Sequence, residues 1–453
     1  MLPHVIVIGG GFAGLRAAVT LADAGIRVTL LEGRMGLGGR ARSFIDPVTG
    51  EVVDNGQHLF LAGYHETLKF LKRLGTENLL VFQKRLQIAF VRPGGKISFL
   101  DCPPVWSPWH LFFGMLRLSG LSWEDKLGIR RVLQEVDRFD GNDFAVSQLD
   151  GETVEAWLIR CGQSQKIRED FWHQVALDTL NEDSSRAAAS GWMTVLRTLL
   201  SAPWKESRLG MACVGLSDLY TTAAQRIIEE QGGQVRVNCP VATLEVKDFR
   251  VGGVRLADGD VLAADAVISA LPPSALSQIL PATLALHDPA LRSLNRFTSS
   301  PIISINLWFD EPLTRELFVG FIGTRVQWLF NKEAVLSQAG IEANYVTLIL
   351  SAAHSFINLP KQVLIDMALE DLQGCFPKAK KAKLIRSQVV REREGTISLT
   401  VGLERYRPGP STSLSNFFLA GDWTGTGLPA TIESAVLSGR LCAEAFLKRM
   451  GLA

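Results

Sequence analysis

Residues 4–18 have the sequence HVIVIGGGFAGLRAA and decide the fold of this 453-residue chain. The uninterrupted apolar run before the glycines predicts a buried strand, and the residues after them predict a helix. Between the two, Gly9-Gly10-Gly11-Phe12-Ala13-Gly14 has the GxGxxG spacing of a dinucleotide-binding turn, where the backbone approaches a pyrophosphate closely. The free N–H groups and positive dipole end of the following helix would face that anion. The stretch therefore predicts a Rossmann-like dinucleotide site.

Each glycine of the motif has a separate expected role. Gly9 makes the tight turn, Gly11 lets the pyrophosphate approach, and Gly14 lets the helix pack on the strand. A second strand is predicted at residues 27–31, and Glu32 follows it near the offset of about 20 residues at which an acid binds the adenosine ribose. Because a carboxylate there would repel a 2′-phosphate, NADP is a poor ligand for this site.

Composition and charge exclude some classes of protein. The 47 Lys and Arg residues nearly balance the 46 Asp and Glu residues, so no basic field would attract nucleic acid. The six cysteines are scattered without metal-ligand spacing, which predicts reduced thiols, no metal site and a cytoplasmic location. The sequence shows no export signal and no apolar run of the roughly 18 to 20 residues needed to span a bilayer. The hydrophobic content of 47% suggests a long apolar pocket or a membrane-facing patch.

Residues 210–275 predict more strands of the same nucleotide-binding domain. A helix is expected at 216–231 with Ser217 as its N-cap, and an apolar strand is expected at 266–270. Short alternating segments between them predict a β-meander with strands at 235–238, 241–246, 254–256 and 261–262.

Residues 412–450 complete that domain in this prediction. A buried strand at 417–420 is followed by Gly421-Asp422 and by a helix at 431–449. The predicted fold is α/β, with two domains built from separated segments. Residues 1–55, 210–275 and 412–450 would form the Rossmann-like domain, and an α+β domain that carries the substrate would be formed by residues 56–209 and 276–411.

Three further motifs resemble those of the flavin amine oxidase and phytoene desaturase superfamily. Gly38-Gly39-Arg40-Ala41 resembles its second glycine–arginine motif, and Leu419-Ala420-Gly421-Asp422-Trp423-Thr424 resembles its C-terminal flavin motif. Residues 430–439 resemble the helix whose N-terminus faces the flavin pyrimidine ring. The resemblance implies that the discontinuous domain binds FAD.

The resemblance also implies roles for single residues. Arg40 would lie along the FAD pyrophosphate, Asp422 would bond the ribityl chain, and the backbone of Val241 would pair with adenine. With the glycine turn included, the expected FAD-binding residues are Gly9, Gly11, Phe12, Ala13, Gly14, Glu32, Gly39, Arg40, Val241, Gly421, Asp422, Thr431 and Ile432.

Within the superfamily, the chain most resembles the hydroxysqualene dehydroxylases, also called squalene-associated FAD-dependent desaturases. The segments that carry this likeness are Asp54-Asn55-Gly56-Gln57-His58 and residues 421–433, GDWTGTGLPATIE. The resemblance implies that reduced flavin removes the hydroxyl group of hydroxysqualene and gives squalene for hopanoid biosynthesis. A polyprenoid small molecule is therefore the expected substrate.

Removal of a hydroxyl group as water requires a proton donor beside it in a dry pocket. His58, Asp54 and Tyr64 are the candidates, because the loop that contains the first two is expected to pass under the flavin. His58 could equally be a hydrogen-bonded residue that orients this loop.

Three other functions stay open. A carotenoid desaturase of the phytoene type shares every FAD motif and runs the flavin in the oxidising direction. An amine oxidase would need a flavin-side lysine and a paired-aromatic cage, which cannot be placed in this sequence. A non-catalytic prenyl-binding protein would keep the fold without flavin, and Glu32, Arg40 and Asp422 argue against it.

The most aromatic stretch of the chain is residues 105–121, which include Trp106, Trp109, Phe112 and Phe113. Such a stretch could enter the bilayer surface and admit a hydrocarbon, which predicts peripheral contact with the inner face of the cell membrane. Core packing or pocket lining explains the same residues equally simply, so both interpretations stay open.

Overall fold

A parallel sheet carries the glycine-rich turn near the N-terminus. The computed structural model describes residues 3–139, 143–281, 284 and 287–452. Its strands, in chain order, are His4–Ile8 (β1), Arg27–Leu31 (β2), Ser43–Ile45 (β3), Val52–Asp54 (β4), Phe60–Leu61 (β5), Leu80–Phe82 (β6), Gln87–Arg92 (β7), Lys96–Asp101 (β8), Leu209–Ala212 (β9), Gln234–Arg236 (β10), Val241–Lys247 (β11), Arg250–Leu256 (β12), Val261–Ala263 (β13), Ala266–Ser269 (β14), Ser299–Phe309 (β15), Phe318–Phe321 (β16), Trp328–Asn331 (β17), Tyr345–Leu350 (β18), Leu384–Ile397 (β19) and Phe417–Leu419 (β20). Its longer helices are Phe12–Asp23, His65–Leu74, Trp109–Arg117, Trp123–Arg138, Asp143–Leu149, Val154–Arg160, His173–Leu180, Ala189–Ser201, Leu216–Glu230, Pro273–Ile279, Lys361–Cys375 and Ile432–Arg449.

The parallel sheet has five strands in the order β10–β2–β1–β14–β20. β1 lies in the middle, and Val5, Ile6 and Val7 have no exposed surface, because helices cover one face of the sheet and strands β11 and β12 pack against the other. Since β2 and β14 flank β1, the strand order reverses at β1, and open α/β sheets bind ligands beyond the carboxyl ends of strands at such a point. The glycine turn leaves β1 at that end. The predicted α/β, Rossmann-like fold is confirmed.

Two local predictions in residues 210–275 are wrong. The segment expected as the first meander strand is β10, which pairs in parallel with β2, so the meander contains only β11, β12 and β13. A short alternating segment has the same pattern in either sheet, and the Glu32 N–H bond to the Arg236 carbonyl, 2.8 Å, holds it at the parallel edge. The helix after β9 has Gly215 as its N-cap, because the Ser217 hydroxyl instead accepts the Ser43 N–H.

A second, larger sheet faces the carboxyl ends of the parallel strands. Its strand order is β19–β15–β18–β17–β16–β7–β8, and the neighbours are antiparallel except for β16 with β7. These strands come from the two segments assigned to the substrate domain, while the domain boundaries themselves stay a prediction. The helix His173–Leu180 is tied to this sheet where Trp328 Nε1 on β17 donates to Asp178 Oδ1 at 2.5 Å. Within the described ranges, every helix is too short or too polar to cross a membrane.

The first and last long helices of the chain pack directly against each other. A Cβ atom added at Gly439 of Ile432–Arg449 would lie 2.3 Å from the Ala13 carbonyl oxygen of Phe12–Asp23, so only glycine permits this approach. The Gly421 N–H also donates to Ser438 Oγ at 2.8 Å. This contact brings the C-terminal motif beside the N-terminal glycine turn.

Replacing Gly439 by alanine is expected to destabilise the protein, although alanine is the better helix former by about 1 kcal/mol. Because the two helices must move apart, the free energy of unfolding in a denaturant titration should fall by about 1–3 kcal/mol. The matched control is Gly374→Ala in Lys361–Cys375, where the added Cβ meets no atom within 4 Å and stability should rise. Equal effects of the two substitutions would contradict the close helix packing.

Candidate functional site

A cavity of about 590 Å³ extends from the glycine turn to the larger sheet. Most of the sequence-predicted site residues line it, and the two that do not are Gly14 and Asp54. Those that do are Gly9, Gly11, Phe12, Ala13, Glu32, Gly39, Arg40, His58, Tyr64, Val241, Gly421, Asp422, Thr431 and Ile432.

The two glycine motifs form one backbone surface at the end of β1. A Cβ at Gly14 would lie 1.9 Å from the Gly9 carbonyl oxygen, so Gly14 acts through strand–helix packing. Gly9 has φ +106°, a conformation that favours glycine. Gly11 and Gly39 face each other, since a Cβ at Gly39 would lie 3.3 Å from the Gly11 Cα. Bare backbone and the free N–H groups of a helix start make a fitting cradle for a pyrophosphate.

Glu32 stands at the carboxyl end of β2, beside this cradle. Its Oε2 accepts the Gly10 N–H at 2.8 Å, and its Oε1 accepts the Arg34 N–H at 2.9 Å. These bonds fix the carboxylate in place, and each of its oxygens keeps a further lone pair for a ligand hydroxyl. The geometry fits the ribose role predicted for Glu32.

An ion pair joins the N-terminal and C-terminal motifs. Arg40 Nη2 lies 2.6 Å from Asp422 Oδ1, and Arg40 Nη1 donates to the Gly395 carbonyl on β19 at 3.3 Å. Arg407 Nη2 donates a hydrogen bond to the Asp422 backbone carbonyl at 2.9 Å. Arg40 therefore positions Asp422 between the glycine turn and the larger sheet, with one carboxylate oxygen left for a ligand.

The start of Ile432–Arg449 borders the same cavity. Thr431 caps this helix by accepting the Ser434 N–H at 3.2 Å. The buried Glu433 carboxylate accepts the Glu66 and Thr67 N–H groups at 2.8 and 2.9 Å, so it caps the helix His65–Leu74. The helix start is thus held rigidly, and its positive dipole end can stabilise negative charge on a ligand in the cavity.

Asp54 lies outside the cavity in a buried ion pair. Its Oδ2 is 2.8 Å from the Lys332 ammonium, and its Oδ1 accepts the Leu216 N–H at 3.0 Å. Burial alone would raise the pKa of Asp54, but Lys332 and the Leu216 N–H outweigh burial and lower that pKa. The structure therefore gives Asp54 no proton to donate and no access to a substrate, because it stays ionised and enclosed.

His58 and Tyr64 line the cavity, but the pKa of each is shifted in the direction that makes it a poorer proton donor. His58 Nδ1 lies 3.0 Å from the Gly56 carbonyl, and burial lowers the pKa of His58. The imidazole is therefore neutral at neutral pH. Burial, followed by the charge of Glu433, raises the pKa of Tyr64 to about 12. A general acid works best with a pKa near the working pH, whereas the pKa of Tyr64 lies far above it and burial disfavours the charged form of His58 that would donate.

Asp178 is a cavity residue that the sequence analysis missed. Its side chain is exposed to the cavity, and its Oδ1 accepts hydrogen bonds from Trp328 Nε1 at 2.5 Å and from Gln174 Nε2 at 2.8 Å. Burial raises the pKa of Asp178 to about 7. The only local signal is one acid in the otherwise apolar stretch Val175-Ala176-Leu177-Asp178, which is common on solvent-facing helices.

The comparisons with known proteins agree over nearly the whole chain. The model of the family described as flavin containing amine oxidoreductase matches residues 12–447. Hydroxysqualene dehydroxylase of Rhodopseudomonas palustris is 30% identical with 99% of each chain aligned, and that of Sinorhizobium fredii is 29% identical with 98% of each aligned. A 15-cis-phytoene desaturase of Synechococcus elongatus is 27% identical over 98% of this chain and 96% of its own.

Solved structures with the same fold are more distant in sequence. An oxidoreductase from Methanosarcina mazei superposes with a TM-score of 0.74 at 19% identity, covering 97% of this chain and 100% of its own. Cyclohexylamine oxidase from Brevibacterium oxydans superposes with a TM-score of 0.71 at 16% identity, covering 100% of each chain. At these identities the likeness concerns the fold alone.

Replacing Lys332 by methionine is expected to lower the free energy of unfolding by about 3–5 kcal/mol, because Asp54 would stay charged and buried without its partner. The double variant Lys332→Met/Asp54→Asn should recover part of that loss in the same denaturant titration. Lys72→Met, at an exposed lysine, serves as the control and should change stability by less than about 0.5 kcal/mol. A double variant no more stable than Lys332→Met would contradict the pairing.

Proposed function

The chain belongs to the flavin containing amine oxidoreductase family, and we propose that it uses FAD to remove the hydroxyl group of hydroxysqualene, giving squalene. Its membership makes it a flavin-dependent oxidoreductase. The observation that carries the more specific proposal is the cavity, which joins a dinucleotide cradle to an apolar chamber. Relatives named hydroxysqualene dehydroxylase, 28–30% identical over almost the full chain, support the choice of substrate.

The residues that line the cavity fit FAD as the cofactor. The facing glycines would hold the pyrophosphate, Glu32 the adenosine ribose, and the backbone of Val241 the adenine. Arg40 and Asp422 would hold the pyrophosphate and the ribityl chain, and the helix start at Ile432 would face the pyrimidine ring. When bound and reduced, the flavin supplies a hydride.

The chamber beyond the cradle suits a hydrocarbon. Its walls come from the helix His173–Leu180, from the segment after β14 and from strands of the larger sheet. The apolar side chains that line it include Leu177, Ile279, Ile302, Trp328, Phe330 and Ile349. A polyprenoid chain would pack against these side chains, which would also exclude water from the reacting carbon.

A carotenoid desaturase of the phytoene type is the second candidate. The observation in its favour is the similarity to 15-cis-phytoene desaturases, which reaches 27% identity over 98% of this chain. The same cavity would accept either hydrocarbon, and the two reactions differ in the direction of hydride transfer.

The deciding experiment follows the products and the cofactor together. Cofactor extracted from the purified protein should be FAD by mass spectrometry. Prereduced protein mixed anaerobically with hydroxysqualene should yield squalene while the visible flavin absorbance returns, because the substrate takes two electrons. Conversion of phytoene by the oxidised protein, without any squalene from hydroxysqualene, would establish the desaturase in its place. Oxidation of an amine alone, or a protein that takes up no flavin, would refute both.

We further propose that this protein contacts the membrane through an aromatic surface formed by Trp106, Trp109 and Phe113. These side chains are 75%, 46% and 40% exposed, whereas His110 and Met115 on the helix Trp109–Arg117 are buried. Exposed aromatic residues grouped on one face are costly in water and favourable at a lipid interface. A substrate that dissolves in the bilayer would be taken up from this position.

Replacing Trp106, Trp109 and Phe113 together by serine is expected to weaken co-sedimentation with phosphatidylcholine–phosphatidylglycerol vesicles by about tenfold or more. Burial of each large apolar side chain contributes about 1.5–3 kcal/mol. The control is Phe249→Ser, since Phe249 is 68% exposed on the turn between β11 and β12. Unchanged vesicle binding by the triple variant would exclude this surface as the contact.

A further inference from the structure

The Asp178 carboxyl group faces the apolar chamber, and none of the described residues forms an ion pair with it. Asp178 Oδ1 accepts the hydrogen bonds of Trp328 and Gln174, at 2.5 and 2.8 Å, while the side chain is exposed to the cavity. Four other carboxylates in or beside the cavity have charged or backbone partners: Glu32 and Glu433 each accept two backbone N–H groups, Asp422 pairs with Arg40, and Asp54 pairs with Lys332. Asp178 differs from these four carboxylates, because the hydrogen bonds that the described residues donate to it come from two neutral side chains.

A short series of contacts connects the Asp178 helix to Arg40 on the glycine-turn side of the cavity. Asn181 follows the helix in a left-handed conformation, and its Nδ2 donates to Thr396 Oγ1 at 3.0 Å. Thr396 follows Gly395 on β19, whose carbonyl accepts Arg40 Nη1 at 3.3 Å. Asp178, Asn181, Thr396, Gly395 and Arg40 all line the cavity.

We propose that Asp178 is the catalytic acid that donates a proton to the substrate hydroxyl group as it leaves. This inference rests on the proposed function. The aromatic side chains of Trp328 and Phe330 line the cavity next to this carboxyl group. Their π faces would stabilise positive charge that develops on the allylic carbon when the carbon–oxygen bond stretches. A general acid and a cation-stabilising wall are therefore placed on the same side of the chamber.

The proposed step balances in atoms and electrons. The carbon–oxygen bond breaks, its electron pair leaves with the oxygen, and that oxygen takes the Asp178 proton and departs as water. A new carbon–hydrogen bond forms with a hydride, whose two electrons come from a reduced flavin under the proposed function. The carbon is reduced, Asp178 becomes a carboxylate, and solvent returns its proton after the product leaves.

The acidity of Asp178 suits this role. Burial raises its pKa to about 7, and the hydrogen bonds from Trp328 and Gln174 oppose that rise by favouring the charged form. The other titratable side chains that line the cavity are Glu32, Arg34, Arg40, His58, Tyr64, Cys239, Glu392, Glu394 and Asp422. A bound hydrocarbon would displace water from the carboxyl group and favour its protonated form further.

The charged groups on the outer side of the Asp178 helix are paired with one another. His173 Nε2 lies 2.5 Å from Glu155 Oε2, and Arg168 lies 3.4 Å from the same carboxylate. In the π-helical turn before the helix, Asp170 pairs with Arg92 at 2.9 Å. Among the charged groups of this helix, we therefore expect the titration of Asp178 to determine how the reaction rate depends on pH.

The main test compares two leaving groups in the prereduced holoenzyme. Asp178→Asn keeps the shape of the side chain and should slow flavin oxidation by hydroxysqualene roughly 10²–10⁴-fold, the usual effect of losing a general acid. With the acetate ester of hydroxysqualene, whose leaving group needs no proton, the variant and the wild type should differ by less than about threefold. Equal losses with both substrates would overturn the acid role, because they would point to binding or folding.

The pH dependence gives a second criterion. Only protonated Asp178 can donate, so the second-order rate constant with hydroxysqualene should be level below about pH 7 and fall above it. Asp178→Asn should abolish this fall. Trp328→Phe removes a hydrogen bond that lowers the pKa of Asp178, so it should move the fall to higher pH. A fall that stays in place in Asp178→Asn would assign it to another group and refute the proposal.

A readout independent of turnover keeps this inference separate from the proposed function. The infrared carbonyl band of a protonated carboxyl group should disappear as the pH rises through about 7 in oxidised wild-type holoenzyme and be missing in Asp178→Asn. Glu169→Gln, at an exposed carboxylate just before the helix, is the control and should keep both the band and the activity.

If wild-type protein gives no squalene, the proposed function fails whatever the band shows. If it gives squalene but the band is missing or Asp178→Asn remains fully active, the Asp178 proposal alone fails.

Discussion

The contact between the first and last long helices is the constraint on which the site depends. Gly439 lets Ile432–Arg449 approach the Ala13 carbonyl, and this approach places Asp422 where Arg40 can reach it from 382 positions away in the chain. Neither motif would make a cavity by itself, because one supplies the cradle and the other its opposite wall. A ligand held by both ends binds the folded chain and not the unfolded one, so it must stabilise the whole structure.

Features governed by local rules were predictable from the sequence. The turn at Gly9–Gly14 and the acid at Glu32 were predicted because each depends on a few neighbouring residues whose backbone geometry is restrictive. The sheet that β10 joins was mispredicted, since a strand of three residues carries too little pattern to choose its partner. Ser217 was mispredicted as a cap because its hydroxyl found a partner in Ser43, which is distant in sequence.

The candidate proton donors also depend on partners that are distant in sequence, and the sequence alone does not identify those partners. Asp54 was conspicuous because it belongs to a recognisable motif, yet a lysine 278 positions away keeps it ionised. Asp178 belongs to no motif, and its raised pKa arises from burial in the folded chain, against a hydrogen bond from Trp328, which lies 150 positions away. Residue type alone does not determine the protonation of a carboxyl group, because the neighbours that determine it are assembled only by the tertiary structure.

The proposed role of Asp178 also bears on the similarity of this chain to relatives that are named for opposite reactions. A chamber with apolar walls would suit any long polyprenoid, and a flavin can give or accept a hydride. Removal of a hydroxyl group needs one thing more, a proton at the leaving oxygen, whereas removal of hydrogen from a hydrocarbon needs a proton acceptor. Under the role proposed for Asp178, an aspartate next to Trp328 and Gln174, with no cationic partner among the described residues, would meet the first need when protonated. The difference between the two reactions can therefore depend on the protonation of one side chain while the rest of the fold is shared.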